Sequence, residues 1–188
     1  MTPLVLDGSH VSLVPLTREH LEPLAAIGLD PDLWRDTTIR VATIDDMHAS
    51  IEAALADETA LPFVITLRSG DVVGSTRFHS FDAKHRRVEI GFTWIAAPWQ
   101  RTVVNSEAKY LMLSYAFDTL GCVRVQFRAD ADNARSRRAI ERLGAHYEGT
   151  LRSFVISPHR GPRDLAMYSI LAAEWADVSA RLRAMLAR

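Results

Sequence analysis

The sequence predicts a mixed α/β (α+β) domain with helices on both faces of one central sheet. Three observations predict it. Runs such as "RRVEIGFTWIAAPW" alternate with the two-residue period of a strand. Runs such as "TIDDMHASIEAALADE" and "NSEAKYLMLSYAFDTLG" carry the helical period. Along the chain the order is strand, helices, several strands, then strand–helix–strand units, which pack as a sheet between helical layers. The 188 residues suffice for one buried core and are short for two, and no repeat or linker interrupts them. One domain over residues 1–188 is expected.

Each element has its own signal. "HVSLVPLT" alternates weakly and predicts a first strand, after which Thr17 is placed to cap a helix with Glu19 and Glu22 near its positive end. Thr43 is the predicted cap of the next helix, whose apolar face is Met47, Ile51, Ala54 and Leu55. Ser69-Gly70-Asp71 separates two β-rich runs as a hairpin turn does. In the following strand Val88, Ile90, Phe92 and Trp94 share one face, with Glu89, Gly91 and Thr93 on the other. From Asn105 to Leu120 the residues Ala108, Leu111, Met112, Tyr115 and Ala116 follow helical spacing, and Gly121 suits a left-handed C-terminal cap. "CVRVQFRA" predicts a strand and "DNARSRRAIERLG" a short helix ending at Gly144. "AHYEGTLRSFVI" and "DLAMYSIL" close the sheet around the turn "SPHRGPR", and "AAEWADVSARLRAMLAR" is a terminal helix.

Composition narrows the function classes. The formal net charge of -1 gives no overall attraction to nucleic acid or to an anionic membrane surface. No apolar run approaches the ~20 residues of a membrane span. The single cysteine, Cys122, excludes a disulfide within the chain, and the N-terminus lacks signal-peptide character, so a cytoplasmic location is expected. Cys122 opens an apolar strand with no histidine partner in sequence and reads as a buried thiol. The seven histidines show no metal-ligand spacing, so no metal is expected. A P-loop is excluded by the lack of a glycine-rich turn ending in Gly-Lys-Ser/Thr.

The turn in "PWQRTVVNSEAK" joins a strand to a helix. The first N–H groups of a helix have no internal partner and its N-terminus carries about half a positive charge, so such a turn suits an anion.

Taken in order, "VEIGFTWIAAPWQ", "RTVVN", "SEAKYLMLSYAFDTLG", "NARSRRAIERLGA" and "GPRDLAMYSIL" followed by "AEW" resemble the GNAT N-acetyltransferase superfamily, in its RimJ/RimL-like branch. The likeness covers nearly the whole chain. It implies a central mixed, largely antiparallel sheet splayed after the fourth strand, with acetyl-CoA as co-substrate in the splay and its pantetheine arm lying like an extra strand. It implies a primary amine as acceptor, a peptide N-terminus or a small molecule, attacking directly in a ternary complex. A homodimer is the family expectation. The alternative is a catalytically degenerate acyl-CoA-binding or interaction domain on the same fold.

The resemblance also implies site residues. Gln100, Arg101, Thr102, Val103, Val104 and Asn105 form the pyrophosphate turn, where Val103 and Asn105 stand at the positions of family glycines. If the backbone needs positive φ at 103, valine is strained there. Backbone N–H groups around Trp94 and Ile95 are expected to hold the thioester carbonyl. Glu89 is the candidate base, provided burial raises its pKa; the alternative is a strand residue paired with Arg87 or Arg77. Asn133 is expected against the pantetheine arm and Ser136 near the leaving sulfur, because the family's acidic tyrosine is Ile140 here. The competing reading makes Asn133 or Asp132 a helix cap. Arg138 is the expected 3′-phosphate ligand within the basic set Arg135, Arg137, Arg138 and Arg142. Trp34 and Asp164 are candidate acceptor contacts, Asp164 alternatively bracing the preceding turn.

Overall fold

The computed structural model describes residues 4–187. After the short edge strand β1 (Leu6–Asp7) come β2 (Val11–Pro15), α1 (Leu21–Gly28), α2 (Pro31–Trp34) and α3 (Ile44–Ala56). A meander follows: β3 (Leu61–Leu67), β4 (Val72–Asp82) and β5 (Arg87–Ile95). Then come α4 (Val103–Ser114), β6 (Arg124–Asp130), α5 (Ala134–Leu143), β7 (His146–Ser157), β8 (Gly161–Leu171) and α6 (Trp175–Leu186). The strands form one sheet in the order β1-β2-β3-β4-β5-β6-β8-β7.

Strand alternation divides the interior in two. Phe63 and Ile65 on β3 join the cluster under α4, α5 and α6, which includes Met112, Leu113, Ile140 and Leu182. Val64 turns to the opposite face and packs with Leu24, Leu33, Trp34, Met47 and Ile51 from α1, α2 and α3. Both faces are therefore covered, as the sequence pattern predicts.

All described pairings are antiparallel except β5 with β6. That parallel ladder holds only Arg87↔Arg124, Val88↔Val125 and Glu89↔Gln126 before the strands part. Counted without the two-residue β1, the opening follows the fourth strand. A bulge helps to steer β5 away: Arg77 pairs Gly91 and Ser75 pairs Trp94, so Phe92 and Thr93 together face Thr76, with Phe92 at φ 50°.

Most local signals landed with small shifts, but the β5 bulge breaks the face expected for Val88, Ile90, Phe92 and Trp94: Phe92 is exposed and Trp94 packs on the α1–α3 side, opposite Val88 and Ile90. Thr43 and Asp46 cap α3 reciprocally at 3.1 and 3.0 Å. Leu55, assigned to the buried face of that helix, is 36% exposed. Gly144 ends α5 at φ 102°. The helix expected from Asn105 begins two residues earlier, at Val103, and its last turn, Tyr115–Thr119, widens to π geometry. Gly161, Pro162 and Arg163 belong to β8, so the final turn is shorter than expected. No helix among the described residues is long and apolar enough to cross a membrane.

Candidate active site

The parting of β5 and β6 opens a cleft of about 700 Å³. Ile90 to Ile95 of β5 form one wall and Phe127 to Asp130 of β6 the other. The N-terminal part of α4 and one face of α5 close it, through Asn105, Lys109, Ser136, Arg138 and Ile140. Trp34, Asp36 and Ile39 border it on the side of the early helices.

Glu89 sits at the vertex, 2% exposed, in the last paired position. Gln126 Nε2 donates to its Oε2 at 2.8 Å, Arg128 Nε donates to its Oε1, and His79 Nε2 lies 3.3 Å from the same oxygen. A side chain at position 91 would collide with His79 Nε2, so Gly91 is what lets the imidazole reach the carboxylate. Burial pushes the Glu89 carboxyl upward, but His79, Gln126 and Arg128 outweigh it and hold its pKa below the usual value. This corrects the expectation of a pKa raised toward neutrality. The expected partners are also replaced: Arg87 pairs with Asp82 at 3.1 Å, and the Arg77 guanidinium lies 3.8 Å from the Phe92 ring centroid. Glu89 ties β4, β5 and β6 together where the cleft begins.

Just past β5 the Ala96 N–H donates to Val73 O of β4 at 2.9 Å. Alternation then turns the Ile95 main chain away from β4, toward the splay, where its carbonyl accepts from Gln100 Nε2 at 2.9 Å. Trp94 departs from expectation. Its carbonyl faces Gly74 on β4, and its contribution to the cleft is the indole, 5.7 Å from the Trp34 ring. Of the two, Ile95 is the residue whose main chain is turned from β4. Trp34 is itself buried, with its indole N–H fixed to Gly28 O at 2.7 Å.

The turn into α4 relocates the backbone demand. Val103 occupies the first helical position, whereas Arg101 holds φ 61°. The expected strain at Val103 is absent. Thr102, not Asn105, is the N-cap: its hydroxyl accepts from Val104 N at 3.3 Å and donates to Trp99 O at 2.7 Å. Gln100, Arg101 and Asn105 reach the cleft; Thr102 and Val103 shape the turn, and Val104 is a core residue.

Asn133 lines the cleft and also caps α5. Its Oδ1 accepts from Ser136 N at 2.9 Å as the cap of α5, and its Nδ2 donates to Asp36 O at 2.9 Å. Ser136 faces the cleft half-buried, and Ile140 beside it carries no proton to give. Arg135, Arg138 and Arg142 line the cleft, with Arg135 3.3 Å from Gln100 Oε1 across its mouth. Arg137 turns inward to Tyr168 Oη (2.9 Å). Asp164 does not line the cleft; it accepts from Ser153 N at 2.7 Å and braces β7. Cys122 is buried and burial raises its thiol pKa, as expected of an inert side chain.

The sequence reading passed over Lys109. It lies one turn after Asn105, so both meet the cleft. It is 5% exposed, its Nζ donates to Thr76 Oγ1 (3.0 Å) and Thr93 Oγ1 (2.6 Å), and burial lowers its pKa to about 7. A single lysine inside an amphipathic helix gives no signal until the strands beside it are placed.

Residues 10–146 match the family model for the acetyltransferase (GNAT) domain. YdaF of Bacillus subtilis (strain 168), provisionally named a ribosomal N-acetyltransferase, is 34% identical over 111 residues, 58% of this chain and 58% of YdaF. The match therefore spans little more than half of that relative. A crystal structure from T. thermophilus, provisionally described as an acetyltransferase, superposes with a TM-score of 0.91 at 36% identity, covering 99% of this chain and 98% of the other. Mycobacterium smegmatis RimJ, solved with CoA-disulfide, shares the fold with a TM-score of 0.78 at 22% identity over 97% and 92% of the two chains. On its matched domain and its splayed sheet, this chain belongs to the GNAT acetyltransferase family.

Proposed function

We propose that the protein is an acetyl-CoA-dependent N-acetyltransferase in which the acceptor amine attacks the thioester directly. The observation that carries this is the splay. Beyond Glu89 the edge of β5 turned from β4 is left without β6, offers the Ile95 N–H and an apolar wall, and leads to a helix N-terminus and a row of arginines. That sequence of surfaces suits a thioester, an extended arm and phosphates in turn. The volume is within the usual range for a ligand cleft. Gln100, Arg101 and the first N–H groups of α4 would hold the pyrophosphate, and Arg135 and Arg138 the 3′-phosphate. The Ile95 N–H would meet the negative charge that develops on the thioester oxygen.

The acceptor this site suits best is an α-amine, as at a peptide N-terminus. With Glu89 locked as a carboxylate of lowered pKa, the cleft has a weak base at its vertex. An α-amino group, of ordinary pKa about 8, is partly neutral at physiological pH without help, whereas a lysine ε-amine near 10.4 is not. The name of YdaF, provisionally a ribosomal N-acetyltransferase, accords with a protein acceptor. The amine would enter along Trp34, Asp36 and Ile39, away from the arginines.

Calorimetry with CoA, followed by thiol release from acetyl-CoA with peptides of varied N-terminus beside ε-amine and polyamine acceptors, tests this. Micromolar binding and release with α-amine peptides are expected. Binding without release across the panel would establish the degenerate domain instead, and no binding at millimolar CoA would end the proposal.

A further inference from the structure

Lys84 and Lys109 are the chain's two lysines; every other basic long side chain is arginine. Lys84 is exposed in the β4–β5 turn, whereas Lys109 is buried against the cleft. Arginine does not give up its proton in proteins, and lysine does so readily when desolvated. Among the described residues Lys109 has no carboxylate partner, only the Thr76 and Thr93 hydroxyls, which also bond each other at 2.8 Å. Both threonines belong to the β5 bulge: Thr93 lies in it, just before Trp94 and Ile95, and Thr76 faces it from β4. The amine is therefore held in the cleft lining at the β5 bulge, two residues before Ile95 in the strand.

Of the other ionisable groups lining the cleft, Asp36 lies at the border by the early helices, and the rest are already occupied or have no proton to exchange. Glu89 is saturated by Arg128, Gln126 and His79, and the second nitrogen of His79 is taken by Ser80 Oγ at 3.1 Å. Asp130 is clasped by Arg160 and Arg163 at 2.8–2.9 Å. The rim arginines hold charge without exchanging it. A buried ammonium without an anion awaits one from the reaction.

We propose that Lys109 is the acid that protonates the departing CoA sulfur and then recovers a proton from the new amide nitrogen. This rests on the acetyl-transfer reading above. The neutral acceptor nitrogen bonds to the acetyl carbon. The C–S bond breaks, and its electron pair goes to sulfur. Sulfur takes a proton from Lys109 Nζ, and the neutral Lys109 amine takes the surplus proton from nitrogen. The sum is amine plus acetyl-CoA giving amide plus CoA thiol. Burial, which holds Lys109 near pKa 7, makes both its forms accessible at working pH.

The test compares wild type, Lys109→Met and Lys109→Arg, with CoA binding by calorimetry beside steady-state kinetics over pH 5.5–9.5. Both variants are expected to bind CoA within a few-fold of wild type, to lose about 100-fold in kcat and to lose the wild-type limb near pH 7. In the wild-type protein, ¹³C NMR of its two lysines should show one titrating near neutrality and shifting when CoA binds. Wild-type kcat in Lys109→Met, full activity in Lys109→Arg, two lysines both titrating above pH 10, or acetyl transfer onto Lys109 in the mass spectrum would each overturn it. Failure of the wild type to release thiol would overturn the transfer reading, and this role with it, before any variant is made.

Discussion

Arg101 holds φ 61° in the turn before α4, a backbone region that costs an L side chain on the order of 1 kcal/mol. Val103, two residues on, is helical and relaxed. Arg101→Gly should therefore raise the melting temperature by about 2–4 °C while weakening CoA binding, because the guanidinium lines the cleft. Val103→Gly should leave CoA affinity within about twofold and lower stability by roughly 0.5–1 kcal/mol, the ordinary cost of glycine in a helix. Thermal melts and calorimetry on the two variants read both effects; a large gain in affinity from Val103→Gly would show that the valine hinders the turn after all. The residue types of "PWQRTVVN" pointed to the turn. They did not reveal which position turns left-handed, because that depends on how the chain passes from β5 through the 3-10 turn Ala97–Trp99 into α4. Asn133 and Asp164 follow the same logic: each is polar and well placed in sequence, yet each hydrogen-bonds through its side chain to backbone groups.

At the scale of elements, β5 and β6 pair over three residues and then part, and Glu89 clamps the vertex. Glu89→Gln removes the charge that faces Arg128 and should destabilise the fold by about 2 kcal/mol, the scale of a buried hydrogen bond to a charged group. The pH dependence follows from the depressed pKa. Its stabilisation is fully present above the unfolded carboxylate range and is lost as pH falls through the folded value. The difference in melting temperature between wild type and Glu89→Gln should be constant from pH 6 to 7 and close below about pH 4. Activity should fall without movement of the neutral limb of the pH profile, since that limb is assigned to Lys109. A shifted limb would return the base role to Glu89. Strand alternation made Glu89 visible in sequence as a polar residue within an apolar run. Its partners were not visible, because Arg128 lies on a strand that reaches β5 only after the α4 crossover.

Over the whole molecule, a formal net charge of -1 conceals a basic cleft mouth, where Arg101, Arg135, Arg138 and Arg142 meet. The double variant Arg135→Ala/Arg138→Ala should weaken CoA at least tenfold and dephospho-CoA far less, with a reduced salt dependence for CoA. Equal losses for the two ligands would move the 3′-phosphate elsewhere. The sequence by itself determined the layer order, the helix caps at Thr43 and Gly144, the strand-to-helix turn and the family, because these rest on local period and residue type. Only the tertiary structure decided that positive φ falls at Arg101, that Glu89 is a held carboxylate and that Lys109 is a buried amine in the cleft lining. Each of these depends on groups brought together from distant parts of the chain or on the angle at which one element enters another. Desolvation and charge pairing act through space, and periodicity along a sequence carries no record of them.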